Sequence, residues 1–213
     1  MLFRMSVYIL GIVVNFFGVA LLIKAALGAG FWTALFVGLE DKFGFTVGIW
    51  YGTFQLAFIF LNGWLAKQKP EFRALLPLVL ESLVLDFWLE VVFKNMSLAA
   101  APFLIQLITV IISVGFIALG VAIYILPQLP RAPVDQLFLV IAKKFRISLL
   151  VSQTAIALTT STTAFLIGGP VGIGTLVGTA FAGPLIQYFY TKGYPLYYLL
   201  HPGYRERFEP IIQ

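Results

Sequence analysis

Long apolar stretches broken by short polar segments run the length of the chain. Six stand out, over residues 5–26, 47–66, 74–93, 101–126, 148–167 and 171–191. About 20 apolar residues let a helix cross hydrocarbon, so the pattern predicts six membrane-spanning helices. The breaks are chemically plain. Lys67-Gln-Lys69-Pro70-Glu71-Phe-Arg73 divides the second stretch from the third, and Lys94-Asn95 closes the third. Pro127, Pro130 and Pro133 follow the fourth, and Gly168-Gly169-Pro170 turns the fifth into the sixth. Proline has no N–H and moves the preceding residue out of helical geometry. Two further apolar stretches, 29–43 and 133–145, are too short to cross. Each begins at a helix breaker, Gly28-Ala-Gly30 in one case and Pro130-Arg-Ala-Pro133 in the other. Two readings fit them: re-entrant helices whose free N–H groups point into the protein, or amphipathic helices lying in the interface. A full span over 29–46 is disfavoured, because it moves Lys67, Lys69 and Arg73 to the outer side.

The stretches come in two copies. Gly18-Val19-Ala20 recurs as Gly120-Val121-Ala122, 102 residues on. The same offset sets Ile23 on Ile125, Leu35-Phe36 on Leu137-Phe138, Lys42-Phe43 on Lys144-Phe145 and Thr46 on Ser148. Three spans per copy is an odd number, so the second copy enters the bilayer from the opposite side. The expected fold is therefore an all-α polytopic bundle. It has six spans arranged as a 3+3 inverted repeat, with a short re-entrant or interfacial helix after the first span of each repeat. The repeats occupy residues 1–97 and 98–192, and 193–213 form a tyrosine-rich cytoplasmic tail along the surface. Inverted repeats are frequent in transporters.

Charge supports the same picture. The chain is 61% hydrophobic and only 11% charged, against about 25% charged in soluble domains. With both termini placed in the cytoplasm, 11 Lys and Arg lie inside and three, Lys24, Lys42 and Lys94, outside. Basic residues accumulate on cytoplasmic flanks, which fixes this orientation in a cell membrane. Matched positions change sign with side: Glu40-Asp41-Lys42 becomes Ala142-Lys143-Lys144. The net charge of +5 is thus spent on orientation. No basic patch with interleaved aromatics points to nucleic acid. The apolar run Met5–Ile23 is too long for a signal peptide and reads as the first span. The absence of cysteine removes disulfides, thiol nucleophiles and thiolate metal sites.

Candidate chemistry is sparse. The third span carries Glu81, Asp86 and Glu90 with no basic residue in the span to pair them. Ionisable groups in spans face a bundle interior or water. Aligning the third spans 101 residues apart sets Asp86 against Gln187, a possible midplane pair that offers proton coupling. A local role for Asp86, bonding a neighbouring helix, is the competing reading. Gln153 and the Thr159–Thr163 run read as helix glue or as a polar path, and Asn15, Gln55, Asn62 and Gln106 share that ambiguity. Arg131 and Asp135, four apart, make either a local ion pair or a substrate contact. Gly168–Gly174 lacks the lysine of a phosphate loop, and the lone His201 holds no metal. No nucleophile–base pair, metal cluster or cofactor motif is visible, so enzymatic chemistry is not expected, nor a cofactor.

Gly18 to Leu35, Phe43-Gly44-Phe-Thr46-Val-Gly48-Ile-Trp50, Gly169-Pro-Val-Gly172-Ile-Gly174-Thr175 and Gly183-Pro184-Leu-Ile-Gln187 resemble bacterial YczE-like membrane proteins of the YczE/YyaS/YitT group. The resemblance covers about residues 5–191. The family's proline and aspartate are Phe31 and Thr33 in the first copy, while Leu27, Gly28, Trp32 and Leu35 remain; the second copy keeps Pro133 and Asp135 but has Pro130 for the usual glycine. The resemblance implies a multi-pass bacterial membrane protein and no particular activity. The expected function is a small secondary transporter or permease. Its solute site would draw on Asp86, Gln187, Asp135, Glu81, Gly28, Trp32, Thr33, Gly174 and Thr175. The alternatives are a membrane accessory or scaffold protein, or a substrate-binding subunit of a larger transporter. Expected partners are the lipid bilayer and a small solute.

Overall fold

A computed structural model describes residues 2–200. His201 and the remainder of the expected tail lie outside the described residues. Among the described residues the chain is helical, with no strand. The eight helices are α1 (Leu2–Lys24), α2 (Phe31–Phe43), α3 (Val47–Ala66), α4 (Leu75–Asp86, continued by a π-helical turn Phe87–Val92), α5 (Phe103–Ile125), α6 (Pro133–Phe145), α7 (Leu149–Leu166) and α8 (Ile173–Leu200).

Helix boundaries follow the local chemistry. Gly28 at φ +107 releases the chain from α1 into α2, and Gly44 at φ +77 ends α2 with its N–H on Glu40 O. Thr46 caps α3 by accepting from Ile49 N, and Ser148 caps α7 by accepting from Val151 N, both at 3.2 Å. Pro133 opens α6, where a missing N–H costs nothing because first-turn donors have no intrahelical partner. The two short helices begin 102 residues apart, as do α3 and α7, and each short helix is 13 residues long. α2 and α3 meet at a bend of 117°. Helix α8 continues to Leu200 through Pro184 and Pro195, both on exposed positions, instead of stopping near residue 191.

Three helices are long and apolar enough to cross a membrane, α1, α5 and α7, or up to four if the bent α2–α3 pair forms one span. That is fewer than the six spans the hydropathy pattern predicts. The remaining stretches fall in α3, which carries Gln55 and Asn62, in α4, only 12 residues long before its π-helical turn, and in α8, which carries Pro184 and Gln187.

At the centre, α1 and α5 run antiparallel. Gly11 lies against Tyr124, Asn15 against Gly120, and Gly18 against Ile117, so numbers rise on one helix as they fall on the other. A Cβ on Gly18 would stand 2.7 Å from Ile117 N, and one on Gly120 would overlap the Asn15 backbone. Small residues let helix backbones approach in a membrane, where dispersion rather than water drives association. Around this pair α4 packs on α1 and α8 on α5, while α2 packs on α7 and α3 on α6. Tyr8, Phe16, Phe36, Tyr51 and Leu85 fill the core. Leu83, Phe87, Ile111, Leu158 and Leu176 are exposed on the outer faces, as lipid-facing side chains are.

Candidate functional site

A cavity of about 210 Å³ opens beside the α1–α5 crossing. Asn15 and Phe16 of α1, Val114 and Ile117 of α5, and Gly178 of α8 line it, and it reaches the starts of both short helices, at Trp32–Thr33 and Val134. The walls are mainly apolar. Asn15 is 9% exposed and its side chain makes no hydrogen bond among the described residues. Trp32 Nε1 is buried without a partner. Thr33 spends its hydroxyl on Gly30 O at 3.0 Å. No charged side chain lines this cavity.

A polar lattice lies behind the wall. Tyr51, which lines the cavity, donates to Glu81 at 2.7 Å. Gln55 donates to the Tyr51 hydroxyl at 2.7 Å and to Glu81 at 3.2 Å. Its amide oxygen accepts from Val134 N at 2.8 Å, and Asn62 donates to Pro133 O at 2.8 Å. Two amides seven residues apart on α3 thus satisfy the backbone at the start of α6. Buried backbone groups left unpaired are costly, so this start needs such partners. Glu81 is 2% exposed and its partners are neutral donors rather than a cation. Asp135, one position on, accepts from Tyr124 at 2.6 Å, and Tyr8 donates to Pro130 O at 2.9 Å.

At the other end the start of α2 is locked to the α7–α8 turn. Ala29 N donates to Pro170 O and Gly174 N to Leu27 O, both at 2.8 Å, and the Thr175 hydroxyl donates to Ala29 O at 2.5 Å. A Cβ on Gly28 would lie 2.5 Å from Gly172 N, and one on Gly174 would overlap Gly28 O. The corresponding junction, where the start of α6 faces the α3–α4 turn, instead holds an open polar cavity of about 390 Å³.

The structure therefore distributes the sequence-derived candidates. Trp32 and Thr33 line the central cavity, with Glu81 one hydrogen bond behind it through Tyr51. Gly28, Gly174 and Thr175 meet in the locked junction. Asp135 pairs with Tyr124, and Arg131 forms no ion pair with it. Asp86 and Gln187 are not joined. Asp86 accepts from Thr46 Oγ1 at 2.5 Å and from Gly48 N at 2.7 Å, serving the start of α3. Gln187 is exposed and its amide turns to Thr191 of its own helix. Glu90 is exposed. In α7, Thr159 and Thr163 bond back to carbonyls of their own helix, while Ser152 bonds across to Phe138 O of α6. Tyr51 and Tyr124 escaped the sequence reading, since nothing local marks a tyrosine that will meet a distant carboxylate.

Over residues 2–191 the chain matches the model of a family of unknown function, DUF6198. It is 32% identical over 182 residues to the uncharacterized protein YyaS of Bacillus subtilis (strain 168), covering 85% of this chain and 90% of that one. It is 28% identical over 186 residues to the uncharacterized membrane protein YczE of the same organism, covering 87% of this chain and 84% of that one. An uncharacterized protein of Haemophilus influenzae is 28% identical over 190 residues, covering 89% and 81%. These relatives bear out the resemblance to the YczE-like group. No solved structure matches.

Proposed function

We propose that this chain, which belongs to the DUF6198 family, is a small permease that binds a solute between two inverted three-span repeats, with both termini cytoplasmic. The observation that carries the reading is the 210 Å³ cavity, which draws its walls from both repeats and touches the start of both short helices. Supporting the inversion, the 102-residue offset converts the Gly18–Ile117 contact into the Gly120–Asn15 contact, and the helices carrying them are antiparallel. The swapped packing of α2 on α7 and α3 on α6 fits the same symmetry. Placing α3, α4 and α8 as spans completes the six.

The lining names the solute class. No charge faces the cavity, so an ion would enter without a counter-charge, at high desolvation cost. A neutral, mainly apolar molecule carrying one hydrogen-bonding group suits the walls and the free Asn15 amide. The volume is below the ~300–1,000 Å³ of drug-sized pockets, which limits the solute to a small molecule.

The chain contains no cysteine, so single-cysteine variants report cleanly. In proteoliposomes, Asn15→Cys and Gly178→Cys are expected to react with a membrane-impermeant maleimide from one face, and a bound neutral solute is expected to slow the reaction. In a thermal-shift panel of small neutral solutes, at least one should raise the melting temperature of the wild type and not of Val114→Trp, which fills the cavity. A panel that shifts neither protein, with both cysteines inert from both faces, would remove the permease reading.

A further inference from the structure

The open junction is more than a gap. Lys69, Arg73 and Arg131 surround its cavity with a single carboxylate, Glu71, and none of these four side chains makes a hydrogen bond or salt bridge among the described residues. Its floor includes Asn62, 7% exposed, whose Oδ1 is buried without a donor. A second cavity, of about 350 Å³, shares Ala66, Gln68, Gln136 and Val140 with the first and adds Lys67, Lys143 and Lys144 beside the apolar Leu65 and Leu139. Together they form one trough along α6 with six cations, one carboxylate and an apolar flank. Lys144 Nζ stands 4.9 Å above the Trp64 ring, so α6 and α3 are joined along the trough's rim.

The trough is not a by-product of the repeat. At the 102-residue offset Lys67, Lys69 and Arg131 correspond to Gly169, Val171 and Ala29, which lie in the locked junction. Of the six cations only Lys144 has a basic counterpart, Lys42. Orientation accounts for basic residues on this face, but not for a concave arrangement of them around a cavity with an unsatisfied acceptor at its floor.

We propose that this trough binds the headgroup of an anionic phospholipid. The phosphate sits among Arg131, Arg73 and Lys69. A headgroup hydroxyl donates to Asn62 Oδ1, and the acyl chains leave over Leu65 and Leu139 towards the bilayer. Basic pockets between membrane helices on the basic face recognise headgroups in this way, through charge focused near an apolar exit. The apolar flank is what favours a lipid over a free phosphate ester, which would have no use for it. The inference stands apart from the permease reading, since no transport step enters it.

The test uses the full-length protein, delipidated in detergent and titrated by native mass spectrometry with dioctanoyl phosphatidylglycerol, dioctanoyl phosphatidylcholine and glycerol phosphate. Phosphatidylglycerol is expected to bind at least about 10-fold more tightly than phosphatidylcholine. Arg131→Gln and Arg73→Gln are each expected to weaken it about 5-fold, the effect of one basic residue near an anionic lipid. Both residues are exposed, so melting temperatures without lipid should match the wild type. Lys42→Gln, on a different surface, should leave the preference intact. Equal affinity for the two lipids, or a preference that survives the Arg73→Gln/Arg131→Gln double variant, would overturn the site. Glycerol phosphate binding as tightly as the lipid would overturn the lipid assignment.

Discussion

The start of α2 and the start of α6 lie 102 residues apart in the sequence, yet one is sealed and the other open. The seal is made mainly of backbone, with one side-chain bond from Thr175 to Ala29 O. Gly28, Gly172 and Gly174 bring main chains together closely enough that Ala29 bonds Pro170 and Leu27 bonds Gly174. At the open junction the chain carries Lys67-Gln68-Lys69-Pro70 and Pro130-Arg131, whose side chains and missing N–H groups preclude that approach. There the start of α6 is held by side chains, Gln55 and Asn62, and a cavity of about 390 Å³ remains. Glycine makes a junction that fits in one arrangement; side-chain amides make one that leaves room.

The strongest way to break this contrast is to add bulk to the seal. Gly174→Val is expected to destabilise by about 3 kcal/mol, because its Cβ meets the Gly28 carbonyl rather than a movable side chain. Gly178→Ala, where nothing lies within 4 Å, should be neutral or stabilising by up to about 1 kcal/mol. Thermal unfolding in detergent reads both, and equal melting temperatures would show that the seal is absent in solution.

Accessibility sharpens the contrast next. Ala29 and Arg131 are equivalent positions, the first 0% exposed and the second exposed. Arg131→Cys should react with an impermeant maleimide about 100-fold faster than Ala29→Cys, which must await a local opening of about 2.7 kcal/mol. Comparable rates would mean that the junctions interconvert freely.

The open junction should in turn depend on side chains. Gln55→Leu strands Val134 N–H and strips Tyr51 and Glu81 of a partner, an expected loss of about 2 kcal/mol by the same unfolding assay. A stability unchanged by this substitution would show that water or another group serves the start of α6. The smallest difference expected lies at the helix caps. Ser148→Ala should cost about 1 kcal/mol and Thr46→Ala somewhat more, since only Thr46 also bonds a carboxylate, Asp86. Equal losses would make the Asp86 contact energetically idle.

Much of this was legible from residue pattern. The 102-residue offset located both short helices, and the breakers at Gly28 and Pro130 marked where they begin, because glycine and proline act on the backbone locally. Trp32 and Thr33 were found because they open a short helix. The Asp86–Gln187 pairing did not form, since sequence offset gives equivalent depth but not which way a side chain turns. Asp86 turned to the free N–H groups of α3, a nearer demand. The central cavity was hidden because its walls are ordinary apolar residues, and Asn15 became distinctive only once Gly120 opposite left its amide nothing to bond. Gly18 and Gly120 read as repeat markers; that they are also contact points required seeing α1 and α5 cross.

That crossing bears on how the molecule is assembled. Within a bilayer each helix must complete its own hydrogen bonds before it meets another, so the conformational penalty of Gly11, Gly18 and Gly120 falls on insertion. When α1 and α5 later dock, these glycines have no rotamers left to freeze. Their seam therefore carries a reduced side-chain entropy cost. It should form early, before the short helices settle, and its amides should be among the last to exchange with deuterated solvent.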